Sequence, residues 1–230
     1  MSTFLFLGGG GDPPDSKSID AAFASILNGR SLLFIVDAVA PEMWSVEAAV
    51  TWLKSNTFYA NIPVVVKDNI HDISDEDMAA AGGIYIMGGN TFKLLDRIKK
   101  SGFDSKLKSF LHGGRPVFGL SAGAIIFGAS IATAACGLEH DENLVGLENL
   151  QSLDLFSGRL IATHYKNEDM DALIALGREL GREIIAIPEQ AGLTLIGTYI
   201  QIIGEPGAKA ILIGADDVRD LFPKDYLRIC

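Results

Sequence analysis

The chain has 230 residues, 48% of them hydrophobic and 21% charged, a balance that fits a folded body with room for one α/β domain over 1–230. A formal net charge of −10 offers no basic face to a phosphate backbone or an anionic membrane, so neither nucleic acid nor a membrane is an expected partner. Apolar runs stay well short of the ~20 residues that span a bilayer, and Met1-Ser2-Thr3 carries no basic leader, so the cytoplasm is the expected compartment.

In chain order the pattern predicts a strand at 3–7, a helix at 18–27, a strand at 31–36, a helix at 41–54 and strands at 62–66 and 83–87. Helices at 91–100 and 104–111 follow, then strands at 117–120 and 159–162, a helix at 169–180 and a strand at 183–187. The strands are short runs rich in β-branched residues, as buried strands are, and the helices repeat apolar residues every three or four positions. Such alternation predicts a mostly parallel, doubly wound sheet flanked by helices. Near the end, apolar runs at 194–196, 199–203 and 210–213 are separated by glycine turns and predict a short antiparallel meander.

Three glycine-bearing turns follow strands. Gly8 to Gly11 comes after the first, but Asp12-Pro13-Pro14 interrupts any helix and no Gly-Lys-Ser/Thr follows, so a nucleotide loop is poorly supported. Gly88-Gly89-Asn90-Thr91 follows the 83–87 strand and opens a helix, where bare backbone amides can meet an anion or a substrate. Gly119-Leu120-Ser121-Ala122-Gly123 joins the 117–120 strand to a helix. That is the context of a nucleophile elbow, in which a sharp turn lifts Ser121 out of the sheet; a structural serine at a helix cap is the rival reading.

A serine nucleophile needs a base, and His164 stands at the carboxyl end of the 159–162 strand, where open α/β sheets build sites. His71, His112 and His140 sit in loops or at a helix end and read as structural or solvated. Two acids compete to orient His164. Glu189 ends the 183–187 strand, and Asp141 lies in the acidic run Glu139-His140-Asp141-Glu142; the pattern favours Glu189 without excluding Asp141. Cys136 and Cys230 are too far apart to suggest a metal cluster and read as structural thiols, and no histidine spacing points to zinc.

Four segments together resemble the peptidase E (α-aspartyl dipeptidase) and cyanophycinase family of serine peptidases: Gly88-Gly89-Asn90-Thr91-Phe92, Gly119 to Ala124, Thr163-His164-Tyr165 and Ile187-Pro188-Glu189. The resemblance implies a class I glutamine amidotransferase-like fold with Ser121 as nucleophile, His164 as base and Glu189 as acid. It also implies oxyanion donors at the backbone amides of Gly89 and Ala122, substrate contacts at Gly88, Asn90 and Thr91, and neither metal nor cofactor. The implied substrate is a small peptide, with a dipeptide bearing an N-terminal aspartate as one form. Residues 130–143 contain no Arg or Lys for such a side chain, so a cation would have to come from Arg97, Arg159 or Lys166.

Two other readings share these residues. One is a non-catalytic binding module of the amidotransferase-like type that keeps the elbow as architecture. The other is an esterase or amidase of the α/β-hydrolase type, whose triad follows the chain order serine, acid, histidine; because His164 precedes Glu189, that reading takes Asp141 as the acid beside Ser121 and His164. The apolar C-terminal strands permit a homodimer.

Overall fold

The computed structural model describes residues 3–39 and 44–229; Cys230 and positions 41–43 of the expected second helix lie outside them. The first five strands are β1 (Phe4–Gly8), β2 (Leu32–Ile35), β3 (Val64–Lys67), β4 (Gly83–Ile86) and β5 (Val117–Leu120). They are followed by β6 (Leu160–Ala162), β7 (Ile184–Ala186), β8 (Ala191–Ile196), β9 (Tyr199–Gly204), β10 (Ala210–Ile213), β11 (Val218–Leu221) and β12 (Tyr226–Arg228). The helices are α1 (Lys17–Leu27), α2 (Val46–Ser55), α3 (Asp75–Ala80), α4 (Thr91–Ser101), α5 (Phe103–His112), α6 (Ala122–Ile125) and α7 (Met170–Leu180).

An eight-stranded sheet runs in the order β12-β9-β8-β1-β5-β4-β2-β3. Its five strands from β1 to β3 are parallel, while β8 joins β1 antiparallel and pairs with β9 in a hairpin. The apolar runs are continuous because both faces are covered. Leu5, Leu33, Ile84 and Val117 point into a core with α4 and α5, whereas Phe6, Phe34, Tyr85 and Phe118 point into one with α1 and α2. Successive strand residues face opposite sides, so each face receives every second residue. The fold is thus the doubly wound α/β sheet that the sequence predicts.

The tail departs from the expected arrangement. β8 and β9 form a hairpin on the main sheet, but β10 leaves it and pairs with β7 in a separate four-stranded sheet of order β11-β10-β7-β6. The meander is therefore split between two sheets, and β6 and β7 do not extend the central one. Apolar strands carry no mark of which neighbour they pair with, so either assignment satisfies the pattern. The second sheet closes on the first through backbone contacts at strand ends: the His164 amide donates to Gly9 O at 2.8 Å, and Ile187 with Leu212 joins the same core as Leu5. No helix among the described residues is long and apolar enough to cross a membrane.

On the α1 side, an aromatic cluster surrounds one buried carboxylate. Tyr85 stacks on Phe118 at 4.5 Å between centroids, and Phe23 meets Phe6 edge-on at 5.4 Å. Asp20, 1% exposed, accepts hydrogen bonds from Ser16 Oγ at 2.6 Å, Asn56 Nδ2 at 2.9 Å and Tyr59 Oη at 2.6 Å. Burial pushes its acid up from the ordinary 3.8 to about 6, against the three hydrogen bonds that favour the anion. The folded state then holds this proton more tightly than the unfolded chain does. The contribution is fully present below about pH 4 and is lost as pH rises through about 6. Wild type should accordingly lose up to about 3 kcal/mol of unfolding free energy relative to Asp20→Asn between pH 4 and pH 7. Urea unfolding of both proteins across that range checks it, and a difference that does not vary with pH would contradict it.

Candidate active site

Ser121 follows β5 directly and caps α6, with φ 54° and ψ −117°. A side-chain-bearing residue occupies that region only when its surroundings enforce it, at a cost of about 1–3 kcal/mol. Here the turn is held by the Ser121 amide donating to Gly8 O at 3.2 Å and by two returning bonds, from the Ala124 and Ile125 amides to Ser121 O at 2.7 and 3.0 Å. The flanking glycines supply clearance. A Cβ on Gly119 would lie 2.1 Å from Gly123 O, and one on Gly123 would lie 2.3 Å from Ile86 O. The helix that follows has only four residues, so the turn is fixed by this packing more than by a long helix.

His164 leaves β6 two residues after its end and also adopts a positive φ of 52°. Its Nε2 lies 2.8 Å from Ser121 Oγ, and its Nδ1 lies 3.0 Å from Glu189 Oε1. The imidazole rests against the turn after β1: a Cβ on Gly10, whose φ is 120°, would meet His164 Cε1 at 2.1 Å. Gly9 and Gly11 likewise make room for Pro188 O, at 2.1 Å, and for Glu189 Cβ, at 3.0 Å. The Gly8 to Gly11 run thus serves close packing of the loops that carry His164 and Glu189.

A second carboxylate, unmarked by the sequence pattern, faces the same nitrogen. Glu139 Oε2 is 3.6 Å from His164 Nδ1, and its Oε1 binds Lys166 Nζ at 2.5 Å. Glu189 is the nearer partner of the ring. The Lys166 hydrogen bond holds the Glu139 carboxyl below its usual range, and the same contact holds the Lys166 ammonium above its own. Glu139, His164 and Glu189 could together present three atoms to a metal ion, but these atoms already serve the imidazole and Lys166. Asp141, the competing acid, points elsewhere: its Oδ2 accepts the Thr91 amide at 2.8 Å, at the start of α4.

Gly88 and Gly89 pass beside the serine. A Cβ on Gly88 would lie 2.9 Å from Ser121 Cβ, and Gly89 at φ 133° would bring one to 2.3 Å from Ala38 O. Asn90 spends its side chain locally, with Oδ1 accepting from Lys93 N at 2.9 Å and Nδ2 donating to Glu142 O at 2.9 Å. Thr91 is fully buried, and its hydroxyl has no hydrogen-bond partner among the described residues. Gly89, Asn90, Thr91, Ser121 and His164 all line one cavity of about 470 Å³, with Ala122 behind Ser121 at the start of α6. Such a volume suits a small ligand. Cys136 also lines it, its thiol pushed up by burial and by the nearby Asp169. Of the cations sought for an acidic side chain, Arg97 pairs with Asp37 at 3.2 Å, Arg159 with Glu183 at 2.7 Å and Lys166 with Glu139. His71, His112 and His140 lie outside the Ser121–His164–Glu189 contacts, with only His140 at the cavity wall.

The sequence profile described as peptidase family S51 matches residues 4–203. An uncharacterized peptidase of Listeria monocytogenes is 29% identical over 147 residues, covering 63% of this chain and 70% of that protein. Peptidase E of Actinobacillus pleuropneumoniae is 30% identical over 138 residues, covering 59% of this chain and 55% of the relative. Among solved structures, a peptidase from an acI-B1 actinobacterium has a TM-score of 0.72 at 16% identity, over 99% of this chain and 97% of the other. A peptidase E candidate from Listeria monocytogenes EGD-e has a TM-score of 0.68 at 23% identity, over 89% and 100% respectively. At these identities the structural likenesses establish the fold.

Because a methyl group on Gly10 would occupy the position of the imidazole edge, Gly10→Ala should displace His164 while leaving the sheet intact. Reaction of Ser121 with a fluorophosphonate should slow by about 100-fold, as misplacement by an ångström does, with circular dichroism unchanged. An unaltered labelling rate would contradict the packing role of Gly10.

Proposed function

The chain belongs to peptidase family S51, and from that premise we propose that it is a serine peptidase cleaving small peptides through an acyl-enzyme on Ser121. One observation carries this reading: Ser121 Oγ, both nitrogens of His164 and Glu189 Oε1 stand in a continuous line at 2.8 and 3.0 Å. With Glu189 accepting from Nδ1–H, the neutral tautomer leaves Nε2 free to accept the serine proton. Such a line is what activates an alcohol that is otherwise a poor nucleophile.

In the proposed sequence, His164 Nε2 takes the Ser121 proton as Oγ attacks the carbonyl carbon of the scissile amide. The tetrahedral oxyanion is assigned to the backbone N–H groups of Gly89, which lines the same cavity as Ser121, and of Ala122, the residue that follows it in the turn. His164 returns the proton to the leaving amine and the C–N bond breaks. Water, deprotonated by the same nitrogen, then attacks the ester and releases the acid and Ser121. Glu189 keeps the imidazole in the required tautomer and stabilises its cation. The engagement of Asp141 with the Thr91 amide favours Glu189 over Asp141 in that role.

Intact-mass spectrometry after incubation with a fluorophosphonate tests the reading. Wild type should gain one adduct, whereas Ser121→Ala should gain none and His164→Ala should label only over far longer incubation. Glu189→Gln should label about 10³–10⁴-fold more slowly, and Asp141→Asn should stay close to wild type. An absence of any adduct on wild type would return the chain to the binding-module reading, and a loss with Asp141→Asn that matches Glu189→Gln would reopen the esterase order.

A further inference from the structure

We propose that the cavity beside Ser121 takes a peptide whose acyl-side residue is uncharged and apolar, and that the Glu139–Lys166 pair excludes an acidic one. This deepens, and rests on, the reading of Ser121 as nucleophile. The walls leading away from Ser121 are built from Ile125, Ala134, Ala162, Tyr165 and Leu173, all buried members of the two cores that meet at the seam between the sheets. An apolar side chain entering this seam exchanges water for hydrocarbon and leaves no polar group unpaired.

The cavity wall carries three carboxylates beside His140 and His164. Glu139, Asp141 and Asp169 line it, and no Lys or Arg among the described residues does. Asp141 accepts the Thr91 amide at 2.8 Å, and Asp169, 7% exposed, accepts the amides of Leu138 and Lys166 at 2.8 and 3.0 Å. Backbone amides orient these carboxylates but do not cancel their charge, and neither forms a salt bridge among the described residues. A substrate carboxylate placed here would be stripped of water beside like charges.

Lys166 stands two residues beyond His164, and its ammonium is already engaged. Its Nζ is bound to Glu139 Oε1 while the other Glu139 oxygen faces His164, with both side chains half exposed, at 48% and 49%, near the catalytic ring. The pair therefore bears on specificity through charge: an ionised Glu139 competes with a substrate acid for Lys166. A lysyl side chain would be drawn by the same carboxylates, but its ammonium would have to leave water beside the apolar wall to reach them, which places it between the apolar and the acidic side chain.

The test uses diphenyl phosphonate analogues of single amino acids, which trap the serine without requiring turnover. With leucine, lysine and aspartate side chains on the same scaffold, the rate of labelling at Ser121 should be at least about 100-fold higher for the leucine analogue than for the aspartate analogue. The lysine analogue should fall between them. Glu139→Gln, which frees Lys166 and removes one negative charge, should raise the aspartate-to-leucine ratio about tenfold whatever it does to the absolute rates. Fastest labelling by the aspartate or lysine analogue, or a ratio unmoved in Glu139→Gln, would overturn the proposal while leaving Ser121 as nucleophile. Failure of every analogue and of the simple fluorophosphonate to label Ser121 would overturn both.

Discussion

The site depends on how closely bare backbone at the end of β1 can approach the loops that follow β6 and β7. β1 and β5 run parallel with Gly8 opposite Leu120, so the turn after β1 lies directly beside Ser121. His164 reaches the serine only because Gly10 has no side chain where the imidazole sits, and Glu189 follows because Gly9 and Gly11 yield to Pro188 and Glu189 Cβ. Four glycines in succession would weaken a strand or a helix. At a strand end they allow loops from the second sheet to close over the first.

That closure also accounts for the strain. Ser121 and His164 both sit at positive φ, each in a conformation that its own side chain disfavours. The Ser121 amide is tied to Gly8 O and the His164 amide to Gly9 O, adjacent carbonyls of one turn. A single turn thereby fixes both ends of the Ser121–His164 hydrogen bond. The buried strands and both cores supply the stability that holds these two residues away from relaxed geometry.

Much of this was legible in the residues. Continuous apolar runs alternating with amphipathic ones implied a sheet buried on both faces, and Leu5, Phe6, Phe34 and Tyr85 divide between those faces accordingly. Strand-end positions drew attention to Ser121, His164 and Glu189, which the fold brings together. Pairing was not legible, because Ile184 to Ala186 and Ala210 to Ile213 read as buried strands in any sheet. The polar β11 and β12 gave little apolar signal, and the six-residue α3 offers less than two turns of periodicity. The contact of Glu139 with the imidazole was hidden for another reason: the residue reads as one acid of a loop run with no repeating pattern, and only the fold carries it to His164 Nδ1.

The central claim is that Ser121, His164 and Glu189 act as one proton-handling unit, and coupling between the last two tests it most directly. The measurement is the rate of fluorophosphonate labelling of Ser121 in His164→Ala, Glu189→Ala and the double variant. If Glu189 acts only through the imidazole, the double variant should label as slowly as His164→Ala alone, since groups that work as a unit do not lose activity additively. Losses that multiply would show that Glu189 acts independently of His164 and would contradict the account.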